Sequence, residues 1–167
     1  MKLFLSPHPD DECLFGAYTI MRERPLVVIV THPTLQGNNG YERLLESYRA
    51  MRLLNAPVCF LGIDEHNLNE NNLFSKLISL YTENIVYVPE LEDGNPQHNL
   101  VNLVASDIFP NIRTYKTYTG LEDRSIGREI IPTNEELELK KKTMACYKTQ
   151  IENRDTKHYF NTTKEYE

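Results

Sequence analysis

Four short apolar runs, separated by stretches with helical spacing, constrain this chain more than any other feature. Residues 2–6 and 27–31 are rich in β-branched or bulky apolar side chains, and both run into polar, proline-containing segments. That pattern suits buried parallel strands. Residues 58–62 and 85–89 resemble them. Between the second and third runs, within 41–54, Tyr41, Leu44, Leu45, Tyr48 and Met51 recur at helical spacing. Phe74, Leu77, Ile78 and Tyr81 do the same within 73–83, as do Leu100, Val101, Val104 and Ile108 within 100–109. The alternation predicts an α/β architecture, with a mostly parallel sheet carrying helices on its faces. Such sheets bind ligands beyond the carboxyl ends of their strands, so a functional site belongs there.

The rest of the chain carries fewer signals. Alternating Thr and Tyr over 113–118 predicts one later strand. Residues 134–151 predict a single long helix with Leu137, Met144, Tyr147 and Ile151 on one stripe, capped by Thr133 or Asn134. The polar tail after residue 153 has no core signal and is expected to pack loosely. At 167 residues, with no repeat or linker, the chain is expected to form one domain over 1–167.

Composition excludes several function classes. No apolar run approaches the roughly 20 residues needed to span a bilayer. Pro7, His8 and Pro9 cut the first apolar stretch short of a signal-peptide core, so a cytoplasmic location is expected. Eighteen basic and 24 acidic side chains give a net charge of -6, which repels a nucleic-acid polymer. The short basic run 140–142 lies among glutamates and is expected on a solvated helix face. Cys13, Cys59 and Cys146 are odd in number and widely spaced, which predicts buried free thiols.

The densest chemistry follows the first strand, where Ser6-Pro7-His8-Pro9-Asp10-Asp11-Glu12 places one imidazole and three carboxylates in five consecutive positions. A His and an Asp three apart, on a turn stiffened by prolines, can converge on one cation, and that donor set suits zinc or another divalent metal. Asp10 is then left for proton transfer. The competing reading makes Asp10 or Asp11 a helix cap and leaves His8 in solvent.

The block Pro7-His8-Pro9-Asp10-Asp11-Glu12 resembles the signature of the LmbE-like, or PIG-L, deacetylases, whose members use zinc to remove acetyl groups from N-acetylglucosamine-containing molecules. Further similarities follow in the family's order. Arg43-Leu44-Leu45-Glu46 with Ala50 and Leu54 resembles an RxxExxxAxxxL helix, Leu61-Gly62-Ile63-Asp64 the loop ending the third strand, and Cys146-Tyr147-Lys148-Thr149-Gln150 a YxSQ motif. The resemblance spans residues 3–150 and implies a Rossmann-like three-layer sandwich. It also implies a metal-dependent N-deacetylase with His8, Asp11 and His98 as ligands of Zn2+ or another divalent metal, and Asp10 as general base. Arg43 and Asp64 are implied in binding a small-molecule acetamido substrate, although Glu46, at i+3, offers Arg43 a plain ion pair. Glu12 is expected to bond the backbone or a ligand from behind.

The segment Asn95-Pro96-Gln97-His98 departs from the family's HPDH or HxNH. Asn95 stands where the family has a histidine that stabilises the oxyanion and protonates the leaving amine, and an amide can do only the first. The general acid is then Asp10, His32 or His66, the two histidines lying beyond the second and third strands. Three alternatives stay open: a metal-binding but catalytically weakened binding module, an amidase acting on an acylated nucleoside or nucleotide sugar, and a metal-free nucleotide binder. The last lacks any GxGxxG or GxxxxGK[ST] loop. A homo-oligomer is compatible with all of them.

Overall fold

The computed structural model describes residues 1–34, 38–91, 94–117, 127–153, 160 and 162–167. Its strands are β1 (Leu3–Ser6), β2 (Leu26–His32), β3 (Val58–Asp64), β4 (Val86–Pro89) and β5 (Ile112–Tyr115). They form one sheet in the order β3-β2-β1-β4-β5, and every adjacent pair is parallel. The helices are α1 (Asp11–Phe15), α2 (Ala17–Glu23), α3 (Asn38–Leu53), α4 (Glu70–Leu77), α5 (Pro96–Ile108), α6 (Asn134–Met144) and α7 (Lys148–Ile151). Among the described residues, no helix is long and apolar enough to cross a membrane.

Strand alternation builds two cores. Leu3, Leu5, Val28, Val30, Val86 and Val88 point to one face, where α4 and α5 cover them with Leu73, Leu77, Val101, Val104 and Ile108. Phe4, Val27, Ile29, Tyr87 and Tyr115 point to the other, covered by α1, α2, α3 and α6 through Leu14, Ile20, Ala50, Met51 and Met144. This is the three-layer α/β sandwich expected from the sequence. Gly16, between α1 and α2, is required by close approach: a Cβ there would lie 2.1 Å from the Phe4 ring.

Several element-level expectations need correction. In α3 the packed face is Glu46, Ser47, Ala50 and Met51, whereas Tyr41, Leu45 and Tyr48 are exposed. In α4 and the short 3-10 turn Ile78–Leu80 that follows it, Leu73 and Leu77 pack while Phe74, Ile78 and Tyr81 face outward. The long final helix breaks at residues 145–147 into α6 and α7, and Ile151 is exposed. Thr133 does cap α6, in a capping box with Glu136. The expected strand over 113–118 begins one residue earlier, and Tyr118 lies outside the described residues. All three cysteines are free, but only Cys13 is fully buried.

Lys140 is not on a solvated face. It is completely buried and donates to Glu165 Oε1 at 2.6 Å and to the Leu14 carbonyl at 2.9 Å. The described part of the tail is docked accordingly. Glu165 accepts from the Tyr18 backbone N–H at 3.0 Å, and Lys116 N and Ile130 N donate to the Tyr166 and Glu165 carbonyls.

Candidate metal centre

In this strand order β1 pairs with β2 on one side and β4 on the other, so the connections leaving β1 and β4 diverge to opposite faces. The crevice between those strand ends is the topological switch point, where open α/β sheets bind ligands. His8, Asp10 and Asp11 follow β1, and His98 lies in the first turn of α5, after β4.

The turn after β1 is held from all sides. Thr31 N and Oγ donate to the Pro7 carbonyl at 3.0 and 2.7 Å, Ser6 Oγ to the His8 carbonyl at 2.7 Å, and Arg43 Nη2 to the Pro9 carbonyl at 2.8 Å. Glu12 Oε2 accepts from Asp10 N at 2.9 Å, while Glu12 Oε1 accepts from the Tyr147 hydroxyl. These bonds hold Asp10 at φ 127°, a conformation that L residues seldom adopt. Asp10 occupies the N-cap position of α1, yet its side chain makes no capping bond. Glu12 is the brace behind the turn.

His8 Nδ1, Asp11 Oδ2 and His98 Nε2 lie at the corners of a triangle whose sides are each 3.1 Å. Among the described residues they form a group able to hold a metal ion. Asp11 and His98 are fully buried. A tetrahedral ion with ligands at about 2.1 Å separates them by about 3.4 Å, so the triangle needs only slight expansion. The donor chemistry also fits. Gln97 Nε2 donates to the Glu65 carbonyl at 2.6 Å, which turns Gln97 Oε1 towards His8 Nε2. His8 therefore carries a proton on Nε2, leaving the Nδ1 lone pair facing the Asp11 carboxylate. Two acceptors so placed need a cation or a proton between them.

The electrostatics follow from that arrangement. Burial opposes charge on His8, but the Asp11 carboxylate outweighs it and raises the imidazole above its ordinary pKa. Burial also opposes the Asp11 anion, yet His98 and His8 hold it well below the usual carboxylate range. For Asp10, burial dominates and pushes the carboxyl up to about 7, against the pull of Arg43. Arg43 Nη2 lies 3.1 Å from Asp10 Oδ2, and Asp10 Oδ1 is buried with no hydrogen-bond partner among the described residues. A buried carboxyl whose proton is held more tightly than usual therefore sits between His8 and Asp11 in the turn.

The other site candidates have partners of their own. Arg43 bonds Asp10 rather than Glu46, and Glu46 instead accepts from Thr149 N and Oγ1 at 2.9 and 2.6 Å. Asn95 is the N-cap of α5, its Oδ1 accepting from Gln97 N at 2.9 Å. Asp64 accepts from His66 N at 2.9 Å, His32 contacts the Pro33 carbonyl, and His66 is largely exposed. Among the described residues, no hydrogen bond from Asp64, His32 or His66 reaches the triangle. No local pattern signals Gln97's contact with His8, because only the fold brings residues 89 positions apart together.

Fold and site together define an α/β protein with a largely buried His-Asp-His group at its switch point. The chain belongs to the PIG-L family, whose model, described as GlcNAc-PI de-N-acetylase, matches residues 3–109. No curated relative matches it. Among solved structures, a deacetylase triple mutant, Orf2*T, involved in the teicoplanin biosynthetic pathway superposes with TM-score 0.74 at 15% identity, covering 96% of this chain and 87% of that one. The A40926 pseudoaglycone deacetylase Dbv21 gives 0.69 at 18% identity, covering 92% and 84%. GalB, the 4-carboxy-2-hydroxymuconate hydratase of Pseudomonas putida KT2440, gives 0.70 at 16% identity, covering 96% and 83%. At these identities the likeness is one of fold.

Proposed function

We propose that the chain is a metal-dependent N-deacetylase that hydrolyses the acetamido group of a small molecule such as an acetylated amino sugar. The supporting observation is the 3.1 Å triangle of His8 Nδ1, Asp11 Oδ2 and His98 Nε2 beside a buried, near-neutral Asp10. Zinc or a similar divalent cation held by these three residues would supply Lewis-acid polarisation of the amide carbonyl and acidify the attacking water.

Asp10 takes the proton of that water on Oδ1, the oxygen with no partner among the described residues, while Arg43 fixes the carboxylate through Oδ2. The Asn95 amide donates to the oxyanion, and its own Oδ1 is anchored by Gln97 N. Since an amide cannot deliver a proton, Asp10 carries the proton on to the leaving nitrogen. Arg43 aligns the base through Oδ2, and Asp64, at the end of β3, is the further substrate contact that the family resemblance implies.

The test is elemental analysis of wild type and His98→Ala, followed by acetate release from N-acetylglucosamine derivatives and acylated nucleosides. Near-stoichiometric divalent metal in wild type, lost in the variant, with acetate released from an acetamido sugar, is the expected result. Metal retention with no turnover on the whole panel would replace the enzyme with a binding module. Release from nucleosides alone would change the substrate class. A fold shared with a hydratase makes the substrate panel decisive, because fold does not set the reaction.

A further inference from the structure

We propose that Gln97 is a positioning residue that locks the ring of His8 and ties it to the segment following β3; the inference rests on the metal reading above. Gln97 stands in the first turn of α5, with its backbone fixed by the Asn95 cap. Its side chain makes two contacts with opposite demands. The Glu65 carbonyl can only accept, so it takes the amide NH2 at 2.6 Å. The Oε1 atom is thereby left to face His8 Nε2, which must be the donor in that contact. One amide thus determines which nitrogen of His8 is available to the triangle.

The same amide links three strand ends. His8 follows β1, Gln97 follows β4, and Glu65 opens the 3-10 turn Glu65–Asn67 directly after β3. Asp64, the last residue of β3, caps that turn through His66 N. Movement of the β3 end is therefore transmitted to His8 through one side chain. An Asn or Asp at this position is one methylene shorter and lacks the reach to make both contacts without a backbone shift. A carboxylate also offers no donor to Glu65.

Gln97→Glu and Gln97→Met separate the two contacts. The Glu variant keeps an acceptor for His8 Nε2 but loses the donor to Glu65; the Met variant loses both while keeping the side chain's length. Three readouts are taken on purified protein: zinc affinity by competition with a chelating dye, the His8 Nε2–H signal in 15N-labelled protein, and amide hydrogen exchange over residues 65–67. Gln97→Met is expected to bind zinc about 10–100-fold more weakly. It should also lose the slowly exchanging Nε2–H signal and exchange faster over 65–67. Gln97→Glu should retain affinity within about threefold and keep the Nε2–H signal, yet share the faster exchange.

Zinc binding by Gln97→Met as tight as wild type, with the Nε2–H signal intact, overturns the inference and leaves the metal reading in place. A wild type that binds no zinc overturns the metal reading. The Nε2–H signal of the metal-free protein then decides the role of Gln97 by itself, since its loss in Gln97→Met alone supports the lock and its persistence there refutes it.

Discussion

Asp10 combines two unfavourable features, a backbone φ of 127° and a buried carboxylate, within a turn that a Gly or an amide would suit better. Each is costly, the backbone alone by about 1–3 kcal/mol, and such costs cluster at functional sites. Because burial raises the folded-state pKa to about 7 from an ordinary 3.8, the folded protein binds this proton more tightly than the unfolded chain. Stability contributed by the protonated form is complete below the unfolded pKa and is lost as pH rises through about 7. In metal-free protein, Asp10→Asn should therefore raise the Tm at pH 8 by more than at pH 5, while abolishing acetate release. Thermal denaturation at the two pH values checks this, and equal or lower Tm at pH 8 would contradict a buried, costly base. The convergence of His8 and Asp11 was legible because they are neighbours on one turn, whereas His98, 87 positions beyond Asp11, was reached only through the family resemblance, and the fold brings it to them. Arg43's partner was not legible, since its i+3 neighbour Glu46 offered an equally good local pairing that the fold overrode.

At the scale of elements, α3 shows why periodicity located helices but misjudged their faces. Tyr41, Leu45 and Tyr48 form an apolar stripe, yet the helix turns Glu46 and Ser47 inward. Glu46 receives both hydrogen bonds from Thr149, and Ser47 Oγ lies 3.3 Å from the Tyr147 hydroxyl, which also bonds Glu12. A chain of polar contacts thus joins α3 and the start of α7 to the brace behind Asp10. Hydrogen bonds to a charged group contribute about 1.5–3 kcal/mol, and leaving their donors unsatisfied costs as much. Glu46→Ala should lower stability in urea by about 2–3 kcal/mol. Thr149→Val should cost less, and the double variant should fall short of the sum, because the two residues share one interaction. Full additivity would place Glu46's contribution elsewhere.

For the whole molecule, the decisive contact outside the site is the buried pair Lys140–Glu165, which clamps the C-terminal segment against α6, α2 and the end of α1. Lys140 Nζ also lies 4.9 Å from the centre of the Tyr18 ring. Removing one partner strands the other charge in the interior, so Lys140→Met should cost about 3–5 kcal/mol. Lys140→Met with Glu165→Gln should recover most of that loss, because both desolvated charges are then gone while the Gln oxygen still accepts from the Tyr18 backbone N–H. Chemical denaturation of the three proteins measures the difference. A double variant no better than the single would mean that Lys140 acts through the Leu14 carbonyl rather than through Glu165.

The sequence by itself determined the strand-helix alternation, the parallel sheet and the strand end at which His8, Asp10 and Asp11 gather. These depend on local apolar periodicity and on short motifs whose members are neighbours in the chain. Tertiary structure decided which face of each helix is buried, the break between α6 and α7, the docking of the tail, and the partners of Arg43, Gln97 and Lys140. Those choices depend on polar groups from distant segments satisfying one another away from water, and no local pattern records such pairings.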